Sequence, residues 1–217
     1  MTFLPEIIFL LFYLRISDVY ICNQFYFRGF HCTSLALLSL KNNMQYGFLA
    51  LVEKQHPVQT ILSNYSFSLN MINQSKQSSY QNDKDYFIKF ILIYFVTYLA
   101  YDLKHCYKRK DLFIHHMVCF IWCMLNFKCI LGHISTVIIN EGITFAYFIK
   151  NVKYQCIYRL LFTTFVRFPL WLINIYWICL RFIQYENDII NICIFIFMFF
   201  IDCIWFSQNL IKLKQHL

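Results

Sequence analysis

The chain has 217 residues, of which 59% are hydrophobic and only 14% are charged. A soluble domain is about 45–50% apolar and about 25% charged, so this sequence has too little polar surface to coat a globule in water. The net charge of +8 falls between apolar runs, which is typical of membrane topology signals and not of a nucleic-acid-binding face.

Apolar segments of roughly the 20 residues that cross a bilayer follow one another along the chain. They lie at about 20–40, 57–73, 86–104, 112–132, 134–150, 157–182 and 189–210. We therefore expect an all-α, polytopic membrane protein with a six-helix transmembrane barrel or bundle in residues 20–217. Residues 1–19 contain a shorter apolar run at 3–14, which predicts an interfacial helix or an extra helix.

Polar and basic segments between these runs predict the connections and the orientation. The stretch Asn73–Lys84 is rich in Ser, Asn and Gln and predicts a loop, with a glycosylation sequon at its start. Short loops rich in Lys and Arg face the cytosol, which places Lys104–Lys110 there. The same rule places two further groups on that side: Lys150 with Lys153 and Arg159, and Lys212 with Lys214. The tail resembles a dilysine retrieval signal shifted by one residue, which favours the endoplasmic reticulum.

Ten cysteines are present without a CxxC pair, and most lie inside apolar runs. Cysteine there behaves as a small hydrophobic residue. We therefore expect no disulfide framework, no metal site and no cofactor, and the sequence predicts no oligomeric state.

Ionisable residues inside the apolar runs are the candidate functional residues, because such groups are costly in lipid and mark function by default. Glu141, Arg167 and Asp202 each lie roughly 13–17 Å from the cytosolic face by helical rise. Arg167 is predicted to pair with one of the two carboxylates. These three residues are either a structural ion pair or the wall of a ligand-binding cavity that holds a lipid headgroup or acyl carbonyl. The full set is Asp102, His115, His116, Glu141, Arg167 and Asp202.

The adjacent His115 and His116 open a predicted helix at the cytosolic side. A neutral imidazole accepts the proton of a hydroxyl or amine nucleophile near neutral pH, so the pair is a candidate base for acyl transfer from acyl-CoA. Neighbouring helical residues point about 100° apart. Both histidines therefore face one cavity only if it is wide, and the alternative has one of them in a packing contact.

These residues, taken in order, resemble the TLC domain (TRAM, Lag and CLN homology) over about residues 40–215. The resemblance rests on Tyr101-Asp102-Leu103, a basic loop and His115-His116. It continues in Asn140–Phe145 around Glu141, in Val166-Arg167-Phe168-Pro169 and in Asp202–Phe206. It implies a six-helix barrel around a lipid-sized cavity in the endoplasmic reticulum or a related membrane. It also implies catalytic roles for His115, His116 and Asp102 if the protein is an enzyme, and ligand-binding roles for Glu141, Arg167 and Asp202.

The chain departs from the ceramide synthases of that family at two places. It lacks their His-Asp-x-x-Asp cluster between His133 and Glu141, and the early Arg-x-x-Ser-x-x-His segment reads His56–Leu62. The sequence therefore resembles the non-synthase branch. We expect a protein that binds or handles a membrane lipid, such as a sphingolipid, in lipid homeostasis. The alternatives are a ceramide-synthase-like N-acyltransferase using acyl-CoA and a membrane cargo or trafficking receptor.

Overall fold

A computed structural model describes residues 4–46, 74–126, 136–182 and 189–216. The predicted all-α class is confirmed for these residues, which contain helices and no strand. The elements in chain order are α1 (Leu4–Ile21), α2 (Gln24–Tyr46), α3 (Gln74–Cys106), α4 (Lys110–Asn126), a 3-10 helix (Asn140–Phe148), α5 (Val152–Phe162), a π-helical turn (Thr163–Arg167), α6 (Phe168–Phe182) and α7 (Ile189–Gln215).

Three helices in the described part of the chain are long and apolar enough to cross a membrane. They are Tyr86–Cys106, Val152–Tyr176 and Ile189–Gln215. In the described residues α4 has 17 residues and the 3-10 helix has 9. Both are shorter than the roughly 20 residues that span a bilayer. The structure therefore supports three of the predicted spans by length and composition.

The predicted loop at Asn73–Lys84 is wrong from Gln74 onward, because α3 begins at that residue. The segment is polar, but it contains neither Pro nor Gly, the two residues that most strongly break helices. Polar composition alone therefore does not end the helix. The predicted span 57–73, the segment His56–Leu62, Asn73 of the sequon and His133 lie outside the described residues.

The buried core joins the N-terminal helices to the rest of the bundle. Leu14 of α1, Leu35 of α2 and Tyr98 of α3 are fully buried in one hydrophobic cluster, together with Cys123 of α4 and Ile138. Helix α1 is thus not separate in packing, because it lies against both α2 and α3. Helix α2 packs against the 3-10 helix, and α7 packs against α5 and α6.

Gly142 allows the close approach of α5 to the 3-10 helix. A Cβ atom at this position would lie 2.8 Å from Cζ of Phe162 and 3.5 Å from Cβ of Ala36. Non-bonded carbon atoms essentially never approach within about 3 Å, so the absence of a side chain at Gly142 permits the short distance between these elements.

Helix α5, the π-helical turn and α6 follow one another directly and are called the α5–α6 unit (Val152–Phe182). The outer surface of this unit and of α7 is apolar. Large side chains such as Phe165, Leu172, Phe200 and Ile204 are more than half exposed. Extended apolar surface is rare on soluble monomers, and this face is consistent with membrane association.

Candidate functional site

A polar cavity of about 110 Å³ lies between α2, α3, α4, the 3-10 helix, the α5–α6 unit and α7. Its inner wall carries buried His115, His116, Glu141 and Arg167. This volume is below that of an engineered cavity of ~150 Å³ that binds benzene. With its charged and polar lining this space suits a small polar group, and it is smaller than the lipid-sized cavity that the resemblance implies.

Asp102 lies behind the cavity wall and contacts two residues that line it. Arg28 Nε donates a hydrogen bond to Asp102 Oδ2 at 2.8 Å, and His116 Nδ1 lies 3.4 Å from the same oxygen. All three side chains are buried. Since Asp102 does not line the cavity among the described residues, its contacts orient Arg28 and His116.

Cys106 completes this buried group, but the geometry is not that of a nucleophile. Its Sγ lies 3.1 Å from Asp102 Oδ2 and 3.6 Å from His116 Nδ1. A catalytic triad uses the two ring nitrogens of histidine for the nucleophile and the carboxylate, whereas here both contacts fall on Nδ1.

Asp102, Cys106 and His116 also offer three ligand atoms within 4.8 Å of one another, a spacing that could hold a metal ion. However, Arg28 donates to both Asp102 and Cys106. The guanidinium already supplies the positive charge at this position, and a dication beside it would be repelled. The group fits a buried ion-pair network better than a metal centre.

His115 and Glu141 form a second histidine–carboxylate contact, with Nε2 3.6 Å from Oε1. The ring of His115 also packs on Trp205, with centroids 5.1 Å apart. The rings of His115 and His116 are 5.6 Å apart, and both line the cavity. Both histidines therefore line one cavity, and His115 makes a packing contact as well.

Arg167 pairs with Asp202 across the bundle, with Nη2 2.9 Å from Oδ1 and both side chains buried. The other oxygen of Asp202 accepts a hydrogen bond of 2.6 Å from Trp171 Nε1. Arg167 ends the π-helical turn, a local widening that is frequent at functional sites. The predicted pairing of Arg167 is thus confirmed for Asp202, while Glu141 faces His115.

The structure brings the six predicted residues together at or directly behind the wall of one cavity. His115, His116, Glu141 and Arg167 line the cavity, and Asp102 and Asp202 each lie within 2.9 Å of an arginine that lines it. Their catalytic or ligand-binding roles stay predictions.

Sequence reasoning missed several lining residues. Arg28 lies inside the predicted span 20–40, so the rule that selected Asp102 also applies to it. Trp205 carried no charge signal, and Arg159 and Lys212 were used only for orientation.

No family model, no curated protein and no solved structure matches this chain. The resemblance to the TLC domain therefore rests on the residues quoted above. What the fold and site define is an all-helical chain, within its described residues, that has membrane-type helices and a buried polar cavity between them.

Proposed function

We propose that this chain is a multi-pass membrane protein that binds lipid, with the polar part of the lipid in the cavity. The observation that carries the proposal is the cavity itself: buried ionisable groups line it, while the helices around it expose apolar side chains. Burying charge costs several kcal/mol per ion unless it is paired, and contacts of Arg28, Glu141 and Arg167 with buried partners offset part of that cost. The polar lining that remains around the space suits a polar ligand.

The small volume of the cavity indicates which part of a lipid it could hold. About 110 Å³ accommodates a headgroup, and the acyl chains would remain at the apolar outer surface. His115 Nδ1 and Arg167 Nε have no hydrogen-bond partner among the described residues. We propose that a bound headgroup oxygen meets these two atoms, which water does not reach in this structure. Lipid homeostasis in the endoplasmic reticulum, by a six-helix TLC-type barrel, is the cellular role that we propose from the sequence resemblance.

Lipid that copurifies with the full chain tests this proposal. Ile143→Trp places a large ring in the cavity wall, whereas Phe145→Trp, at an exposed neighbouring position, leaves the cavity open. We expect mass spectrometry to find a defined lipid class with the wild type and with Phe145→Trp, and far less with Ile143→Trp. The absence of any enriched lipid on the wild type would refute the proposal, as would equal lipid on both variants.

The second candidate is an N-acyltransferase that uses acyl-CoA. The observation in its favour is that both imidazoles line the cavity, and each lies within 3.6 Å of a carboxylate oxygen. In such a step one histidine would take the proton of the amine as the amide C–N bond forms. The thioester C–S bond would break, and the leaving thiolate would be protonated.

Single variants separate the two candidates. If the protein is an acyltransferase, His115→Ala or His116→Ala should abolish acyl transfer to a long-chain base. His105→Ala, which does not line the cavity, should retain it. Unchanged turnover in both cavity variants would refute the catalytic role, and an inactive wild type with bound lipid would leave lipid binding as the function.

A further inference from the structure

The cavity wall has a marked excess of positive charge. Its charged side chains, apart from the histidines, are one acid, Glu141, and five cations: Arg28, Arg109, Arg159, Arg167 and Lys212. The carboxylate of Glu141 already contacts the imidazole of His115. A site with this balance attracts an anion and repels a cation.

Two of the inner cations are neutralised by buried partners. Arg28 pairs with Asp102 and Arg167 with Asp202. Neither pair has much exposed surface, so the charge of each cation is compensated, although Arg167 Nε itself has no hydrogen-bond partner among the described residues. The attraction for an anion therefore comes from the other cations.

The outer cations are available. Arg159 and Lys212 form no ion pair within the described ranges of the chain; Arg159 only stacks over the ring of Tyr147, with Cζ 5.2 Å from the centroid. Arg109 pairs with Asp111, but both side chains are more than 40% exposed. Exposed pairs of this kind are weak, so Arg109 can turn to a ligand at little cost.

These three cations come from separate parts of the chain: the α3–α4 connection, α5 and α7. We propose that Arg109, Arg159 and Lys212 form a phosphate-binding subsite at the mouth of the cavity. Guanidinium groups bind phosphate oxygens in a bidentate manner, and lysine adds a compact charge. A phosphate carries several acceptor oxygens and more than one negative charge, so it matches three converging cations better than a single carboxylate does.

The subsite deepens the proposed function and rests on it, since it names the headgroup chemistry of the same cavity. The phosphate belongs either to a lipid headgroup or to a soluble phosphate compound. Trp205, one of four tryptophans in the chain, lines the cavity, so a change in tryptophan fluorescence that is absent in Trp205→Phe reports binding to the purified full chain. Three probes are titrated: dioctanoyl phosphatidic acid, dioctanoylglycerol with the same acyl chains but no phosphate, and inorganic phosphate.

The test variant is the double substitution Arg159→Gln with Lys212→Gln. Its matched control is Lys153→Gln with Lys214→Gln, which removes the same charge from the same two helices at positions that do not line the cavity. We expect phosphatidic acid to bind in preference to dioctanoylglycerol. The test variant should weaken it by roughly tenfold or more, since charge-assisted hydrogen bonds are about twice as strong as neutral ones. The control should stay close to the wild type.

The outcomes distinguish the subsite from the function on which it rests. Binding of inorganic phosphate that is lost in the test variant, without binding of either lipid, supports the subsite and refutes lipid binding. Equal affinity for both lipids refutes the subsite and leaves lipid binding intact. An equal loss in test and control variants also overturns the subsite, because it would reflect net charge alone.

Discussion

The guanidinium of Arg167 lies 2.9 Å from the carboxylate of Asp202, with both side chains at most 2% exposed. Trp171 donates to the second carboxylate oxygen, so the acid is held from two sides. Glu141, at a similar predicted depth, contacts His115 instead. The charge of Arg167 is thus compensated by one specific acid.

Removing Arg167 should destabilise the protein clearly, because it leaves the charge of Asp202 buried and unpaired. We expect Arg167→Leu to cost about 3–5 kcal/mol, the usual loss when one member of a buried pair is removed. Asp202→Asn in the same chain should restore part of the loss, since the amide is neutral and still accepts from Trp171. The measurement is the thermal unfolding midpoint of the full chain in detergent.

Two controls make this result specific. Glu141→Gln combined with Arg167→Leu should restore little, and Arg159→Leu, at a partly exposed position, should cost much less than Arg167→Leu. Equal rescue by Glu141→Gln and Asp202→Asn would contradict the assigned pairing.

Gly142→Ala should destabilise the contact between the 3-10 helix and α5. The added Cβ would meet Cζ of Phe162 at 2.8 Å, and overpacking of this kind costs about 1–3 kcal/mol. In a Phe162→Leu background the ring is absent, so the same substitution should cost far less. A double-mutant cycle on unfolding midpoints measures the difference, and an unchanged cost in that background would show that Phe162 is not the obstacle.

Asp111 should contribute to stability only above acidic pH. Partial burial raises the pKa of Asp111, but hydrogen bonds from Arg109, the Leu112 backbone and Trp205 outweigh it and hold the pKa below the ordinary 3.8. A group with a depressed folded pKa stabilises the protein above its unfolded pKa. The contribution is therefore complete above about pH 3.9 and is lost as the pH falls through the lower folded value.

The measurement is the unfolding midpoint as a function of pH, in the wild type and in Asp111→Asn. The variant should lose this part of the acid dependence, whereas Glu6→Gln, in the first turn of α1, should retain it. Identical acid profiles for the wild type and Asp111→Asn would contradict the assignment.

Composition and the positions of ionisable groups predicted the all-helical class and the region of the site, since charge inside an apolar run is conspicuous in a sequence. The partner of each charged residue was harder to predict from the sequence. Depth was derived from an α-helical rise of about 1.5 Å, but Asn140–Phe148 is a 3-10 helix, in which the rise is about 2.0 Å and residues repeat every three. The face on which Glu141 lies therefore could not be derived from α-helical geometry.

The contact between Arg28 and Asp102 could not be predicted from the sequence for a different reason. Arg28 was not among the residues named from the sequence, although its position in a predicted span makes it costly, and its partner Asp102 is 74 positions away in the chain. A single sequence holds no signal for such a contact. The small volume of the cavity likewise depends on how side chains from six elements pack together.

Arg109, Arg159 and Lys212 line one cavity and are exposed or partly exposed, so the proposed subsite requires them to lie on the same side of the membrane. We predict that cysteines introduced by Lys108→Cys and His216→Cys are labelled from the same side by a membrane-impermeant maleimide in sealed microsomes. The background chain would carry serine at the exposed Cys22, Cys179 and Cys193. Ile190→Cys, at the opposite end of α7 and exposed, is the matched control and should be labelled only from the other side. Labelling of Lys108→Cys and His216→Cys from opposite sides would refute the shared orientation, and with it the convergence of the three cations on one membrane face.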